Sequence, residues 1–163
     1  MKEDSQQHVS RSTIRPYDPA RDLERCMETW RQASEVGHPF LGPDALDPDQ
    51  QVIRDRYMPA AEILVEGGDN GPRGFIALLG SMVGGLFVNP EYHGRGVGSA
   101  LVLEAARDRR ALDVEVYEAN EGARVFYLRA GFVEVSRREL DDHGRPLPLI
   151  RMRRENPHAV GAR

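Results

Sequence analysis

The chain has 163 residues, 40% of them apolar, and a formal net charge of −4. That length suits one domain with a core of its own. The acidic balance argues against a nucleic-acid binder, whose contact face is normally basic. No apolar run reaches the ~20 residues of a membrane span, and the polar start Met-Lys-Glu-Asp-Ser-Gln-Gln-His is no signal peptide. The single cysteine, Cys26, excludes an internal disulfide, so a cytoplasmic setting is expected. Cys26 shares a helical stripe with Leu23, Met27 and Trp30 and reads as a packed core thiol.

Residues 1–12 are expected to be flexible. Thr13-Ile14-Arg15 reads as a first strand, stopped by Pro16. Asp18-Pro19 then starts a helix, because a capping carboxylate is followed by proline at the first helical position. The helix is predicted to run to about Ser34 and to be broken by Gly37 and Pro39. His38 to Gly42 forms a loop, and a second helix is predicted over 43–57. A strand at 62–66, a Gly-Gly-Asp-Asn-Gly-Pro turn and a strand at 74–80 form a hairpin. A third strand at 83–88 contains Gly84-Gly85, and glycines inside a strand mark a bulge or a close approach by ligand. There follow a helix over about 96–110, a strand at 112–117, a helix at 120–130 and a strand at 132–138. A turn at 141–144 and a last strand at 147–153 precede a tail, 155–163, that is expected to be flexible. The order predicts a mixed sheet with helices on its faces, and a single domain over 13–154.

The sharpest local signal is His93-Gly94-Arg95-Gly96-Val97-Gly98-Ser99, between a strand and a helix. Glycines let the backbone come close to a bulky anion. The first amides of a helix lack partners, and the helix dipole makes that end partly positive. A pyrophosphate suits such a place, with the charge of Arg95 and the hydroxyl of Ser99 beside it. A dinucleotide fold is the rival, but its fingerprint is G-x-G-x-x-G directly after a strand. Here the glycines run G-x-G-x-G, and residues 89–93 separate them from the strand.

The second constellation is Asn120, Ala123, Arg124, Phe126 and Tyr127, followed by Gly131-Phe132. At ~100° per residue, Asn120, Ala123 and Tyr127 fall on one stripe. An amide, a small residue and a phenol therefore share one face. The amide can bond peptide-like groups, the small residue admits a ligand, and the phenol can hand over a proton. Phe126 reads as core, and Gly131 as a left-handed helix end.

Together these segments resemble the GNAT superfamily of N-acetyltransferases. The family's Q/R-x-x-G-x-G/A loop is matched by His93 to Gly98, and its later Asn, Ala, Phe-Tyr and Gly-Phe pattern by Asn120, Ala123, Phe126-Tyr127 and Gly131-Phe132. The likeness is strong over 86–132 and loose before Glu62. Within the superfamily the chain resembles the small bacterial YjaB-like acetyltransferases through Trp30, His38-x-Phe40-Leu41 and Asp142-x-Gly144-x-Pro146-x-Pro148-Leu149. The resemblance implies an α/β (mixed α+β), GNAT-like fold: a central mixed, mostly antiparallel sheet of about seven strands flanked by about four helices. It implies acetyl-CoA as co-substrate and no metal. Leu86, Phe87 and Val88 would offer backbone groups to the pantetheine arm. Residues His93, Gly94, Arg95, Gly96, Val97, Gly98 and Ser99 would hold the pyrophosphate. Asn120 and Ala123 would meet the pantetheine, Arg124 would reach toward a phosphate, and Tyr127 stands where the family has its general acid.

Two departures from the family pattern stand out. His93 occupies a position where glutamine or arginine is usual. The strand before the loop, Met82 to Val88, carries no carboxylate, although many relatives have a basic one there. The base is left open among Glu115, Tyr117, Glu118, His38 and a water relay. The reaction implied is direct attack by a primary amine on acetyl-CoA in a ternary complex. The acceptor is a small-molecule amine or a protein lysine or N-terminus, and the chain a monomer or homodimer without nucleic-acid or membrane partners. A non-catalytic acyl-CoA sensor is the alternative that the missing carboxylate supports.

Overall fold

The computed structural model describes residues 13–159. In chain order its elements are β1 (Thr13–Pro16), α1 (Pro19–Gly37), α2 (Pro43–Val52), α3 (Met58–Ala60), β2 (Glu62–Gly68), β3 (Gly71–Leu79), β4 (Met82–Val88), α4 (Val97–Ala106), β5 (Ala111–Tyr117), α5 (Glu121–Arg129), β6 (Val133–Arg138) and β7 (Leu149–Glu155). The expected flexible N-terminus, 1–12, lies outside the described residues.

The local signals act where they are written. Asp18 caps α1, its carboxylate accepting from the Ala20 amide at 3.0 Å, with Pro19 behind it. A buried carboxylate in the first turn, Asp22, accepts from both terminal nitrogens of Arg15 at 2.7 and 2.8 Å, tying α1 to β1. The second helical stretch departs from a single helix. α2 gives way to a wide π turn, Ile53–Tyr57, before α3. Pro59 has no N–H and its ring would strike the carbonyl four residues back, so the wider turn accommodates it. Counted as one rod, α2 and α3 leave four helical segments around the sheet.

The seven strands lie in the order β1-β2-β3-β4-β5-β7-β6. All neighbours are antiparallel except β4 and β5, which are parallel. The hairpin between β2 and β3 is tighter than expected, because Gly71 at φ +88° lets the chain reverse over Asp69-Asn70. α4 stops at Ala106 rather than near Arg110. Arg109 folds back there, giving hydrogen bonds to the Ala105 carbonyl at 2.8 Å and the Gly80 carbonyl at 3.1 Å, which caps the helix and stitches it to the β3–β4 turn.

β7 continues through Glu155, and the Asn156 side chain donates to the Ala106 carbonyl at 2.8 Å. Asn156 is therefore held at the end of α4, its amide donating to the Arg110 carbonyl and its side chain to a carbonyl the helix leaves open.

Each face of the sheet has its own apolar layer. Leu101, Val102 and Ala105 of α4, with Tyr127 and Phe132, pack on Ile76, Val114 and Met152. On the other face Cys26, Met27 and Trp30 of α1, with Leu46, pack on Ile63, Val65 and Phe75. Burial pushes the Cys26 thiol up to about 12, so it is an inert core group, and Trp30 is likewise core.

Candidate active site

The parallel pair at the centre of the sheet is incomplete. β4 and β5 pair only at Met82 with Asp113 and at Val83 with Val114, and then diverge. The register of β4 against β3 slips at this point: Ala77 faces Gly85 while Leu78 faces Val83, so Gly84 is an extra, bulged residue. A bulge bends its strand and increases its twist, turning the rest of β4 away from β5. Among the described residues, 84–88 consequently keep one edge without a strand partner, while β5 stays paired along its whole length with β7. The opening widens into a cleft of about 1490 Å³ that reaches from the glycine loop to the end of α1.

At one end lies the start of α4. Gly94 and Gly96 have φ of +76° and +80°, in the left-handed region that only glycine enters freely. Gly96 is the helix cap and offers no side chain, so the amides of residues 97–99 are not shielded by a capping group. Gly98 lies under the ring of Phe126, where a Cβ would come within 3.2 Å of two ring carbons. Loop and α5 are thus set close by the missing side chain. The His93 ring turns back, its Nε2 2.9 Å from the Val88 carbonyl oxygen, and braces the loop against β4. Arg95 is exposed, with its guanidinium 5.5 Å from the Tyr92 ring centre.

Asn120 is the cap of α5, just before the helix: its Oδ1 accepts from the Ala123 amide at 3.1 Å. Asn120, Ala123 and Tyr127 all line the cleft, as their helical stripe requires. Arg124 lies on the β6 side of α5. It gives hydrogen bonds of 3.0 and 2.7 Å to Glu134 of β6 and is not among the cleft-lining residues. Its position turns it toward β6, where a carboxylate is in reach.

Tyr127 is 5% exposed, its ring set edge-on against Phe126 and Phe132. No described residue exchanges a hydrogen bond with its hydroxyl. Burial raises its pKa well above the ordinary tyrosine value, so the phenol is a neutral O–H donor facing the cleft.

At the far end of the cleft, near α1, the candidate bases separate. Glu118 is hydrogen-bonded by Arg137 at 2.9 Å and does not line the cleft. Glu115 is held by Arg138 at 2.7 and 3.3 Å. Tyr117 donates its hydroxyl to Asp141 at 2.9 Å, and burial together with that bond raises its pKa. Asp141, 4% exposed, also accepts from the amides of His143 and Arg145 and from Arg145 Nε, and this set of donors overcomes burial to hold its pKa at about 2. In the sequence this stretch reads only as a turn. Asp-x-x-Gly, with Gly144 at φ +73°, was the available signal for a carboxylate folded onto its own backbone. His38, Phe40 and Tyr117 form an aromatic triad with centroids 5.1–5.5 Å apart.

A sheet split beside a glycine-started helix, with room for an extended thioester arm where a strand is missing, is the architecture of an acyl-CoA-dependent transferase. Residues 59–134 match the acetyltransferase (GNAT) domain. Peptidyl-lysine N-acetyltransferase YjaB of Salmonella typhimurium is 32% identical over 79% of this chain and 89% of its own, and YjaB of Escherichia coli is 32% identical over 79% of this chain and 88% of its own. The solution structure of apo YjaB from Escherichia coli superposes with a TM-score of 0.80 at 31% identity, over 93% of this chain and 99% of that one. The chain belongs to the GNAT acetyltransferases: it is an N-acetyltransferase with acetyl-CoA as co-substrate. Among the described residues no helix is long and apolar enough to cross a membrane.

Proposed function

We infer that the chain acetylates lysine side chains of proteins by direct attack on acetyl-CoA. The observation that carries this reading is the open outer end of the cleft. Val36 and Tyr57, 59% and 51% exposed, stand there at the surface, so a polypeptide can lie across the mouth and send one side chain inward. Four carboxylates line the cleft: Arg138 pairs with Glu115 and Asp142 and Arg145 with Asp49, which leaves Glu121, without an ion pair among the described residues, to meet a cationic acceptor. The peptidyl-lysine activity named for both YjaB relatives agrees with it.

In this reading residues 13–154 work as one catalytic domain. The free edge of Leu86, Phe87 and Val88 pairs with the pantetheine arm as a substitute strand, and the Asn120 amide, whose oxygen is committed to its cap, offers Nδ2 to the same arm. Ala123 leaves space for it. The diphosphate lies on the amides of Val97, Gly98 and Ser99 within the turn made by His93, Gly94, Arg95 and Gly96, where backbone donors and the helix dipole act together. A backbone N–H on the open edge of β4 faces the carbonyl oxygen and stabilises the oxyanion. The Tyr127 hydroxyl then meets the departing sulfur. A lysine amine, with a reference pKa of ~10.4, must lose a proton before it attacks.

CoA release measured with lysine peptides, peptides whose sole amine is the N-terminus, and small amines tests the acceptor. The highest kcat/KM is expected for internal lysine. Faster turnover of small amines, with lysine peptides left unmodified by mass spectrometry, would overturn the reading. Binding of acetyl-CoA with CoA released to none of them would make the chain an acyl-CoA sensor.

A further inference from the structure

We propose that His38 is the proton acceptor of the acetyl transfer, receiving the acceptor nitrogen's proton through a ring nitrogen that no other described residue hydrogen-bonds. The proposal rests on the lysine reading above for the acceptor, but the residue's role is separable from it.

Four observations converge on His38. It lines the cleft. Its neighbour Gly37 abuts the cap of α5: a Cβ on Gly37 would lie 3.1 Å from Asn120 Nδ2, so the end of α1 touches the group assigned to the pantetheine. The ring is placed by packing, 5.5 Å from Phe40 and 5.1 Å from Tyr117 at the end of β5, and Tyr117 is itself anchored by its bond to Asp141. No described residue hydrogen-bonds either ring nitrogen, whereas Glu115 and Glu118 are engaged by Arg138 and Arg137, and the Tyr117 hydroxyl is spent as a donor.

The chemistry suits a neutral imidazole. Burial alone lowers the His38 pKa to about 4, so the ring is uncharged at neutral pH and keeps a lone pair. So weak a base cannot strip a lysine ammonium, and the acceptor must arrive as the free amine, its proton already lost to water. The nitrogen lone pair then forms the N–C bond while the carbonyl π pair moves to oxygen. The nitrogen is now an ammonium on a carbon that also bears oxygen and sulfur, and is far more acidic than lysine. His38 takes that proton. The C–S bond breaks with its pair on sulfur, the carbonyl re-forms, and Tyr127 hydrogen-bonds the thiolate. The imidazolium releases its proton to water and the thiolate gains one, giving the amide and CoA.

The test is His38→Phe, which keeps an aromatic ring against Phe40 and Tyr117 and removes both nitrogens. General-base catalysis contributes about 10²–10⁴-fold. The expected result is a kcat at least about 100-fold below wild type, with acetyl-CoA KM within about twofold and an unchanged melting temperature. His38→Ala opens space at the ring, and added imidazole is expected to restore part of its kcat without changing the wild type. Wild-type kcat in His38→Phe would overturn the proposal, since packing alone would then explain the residue. If wild type acetylates only small amines, the acceptor reading falls and the same comparison, run with the best amine, still decides His38.

Discussion

Replacing Tyr127 by phenylalanine separates catalysis from stability. The hydroxyl has no partner among the described residues and lies on a ring that is 5% exposed. Its removal leaves no orphaned donor or acceptor, so the unfolding free energy should change by about 1 kcal/mol or less. In turnover the same group meets a developing thiolate, and a hydrogen bond to a charged group is worth about 1.5–3 kcal/mol. At 1.36 kcal/mol per tenfold, kcat should fall about 10- to 150-fold. Acetyl-CoA binding precedes that charge and should change little. Because burial raises the phenol's pKa, the hydroxyl stays protonated across ordinary assay conditions, and the wild-type to variant ratio should stay constant from about pH 6 to 9. Initial rates of thiol release, calorimetric titration with acetyl-CoA and a urea melt measure the three quantities. Equal kcat in the two proteins would refute the role of Tyr127, and a loss of stability large enough to account for the lost rate would refute the separation.

Gly96→Ala should weaken acetyl-CoA binding at least several-fold: nothing lies within 4 Å of the added Cβ, so the damage is to the left-handed backbone at φ +80°, at a cost of about 1–2 kcal/mol. Unchanged affinity by calorimetry would show that this turn does not hold the diphosphate. Asp113 accepts from Arg151 at 2.6 Å and from Arg153 at 2.7 and 3.1 Å, and the Arg153 bonds chiefly, with those of Arg151, hold its pKa at about 2. A carboxylate depressed on folding stabilises above its unfolded pKa of ~3.9 and loses that contribution as pH falls toward 2. Full linkage would give about 2.6 kcal/mol, but both arginines are 40–42% exposed, so screening reduces this to about 1–2 kcal/mol. Asp113→Asn should therefore be less stable at pH 7 and lose less stability between about pH 5 and 2. Parallel pH–stability curves for the two proteins would exclude the effect.

Asp18-Pro19, Gly131 and the glycines of residues 94–98 act through their own φ angles and caps, and the structure has them as the chain is written. The Gly84 bulge was likewise legible, since glycines in a strand have few other uses. Helix lengths were less so. Pro59 widened a turn at 53–57, and α4 ended early where Arg109 reached carbonyls of its own helix and of Gly80. Arg124 carried a charge visible in the sequence, but its partner Glu134 lies on a different element.

What the sequence determined by itself is therefore what short-range chemistry dictates: the caps, the glycine turn that leaves helix amides bare, and the stripe that aligns Asn120, Ala123 and Tyr127. Only the tertiary structure decided which groups are free to react. Glu115, Tyr117 and Glu118 looked equivalent along the chain, and each was committed by a partner 19–24 residues away. The divergence of β4 from β5 likewise joins segments separated by a whole helix. Ionic pairing and strand pairing across such separations depend on the twist and register of the assembled sheet, which no local pattern specifies.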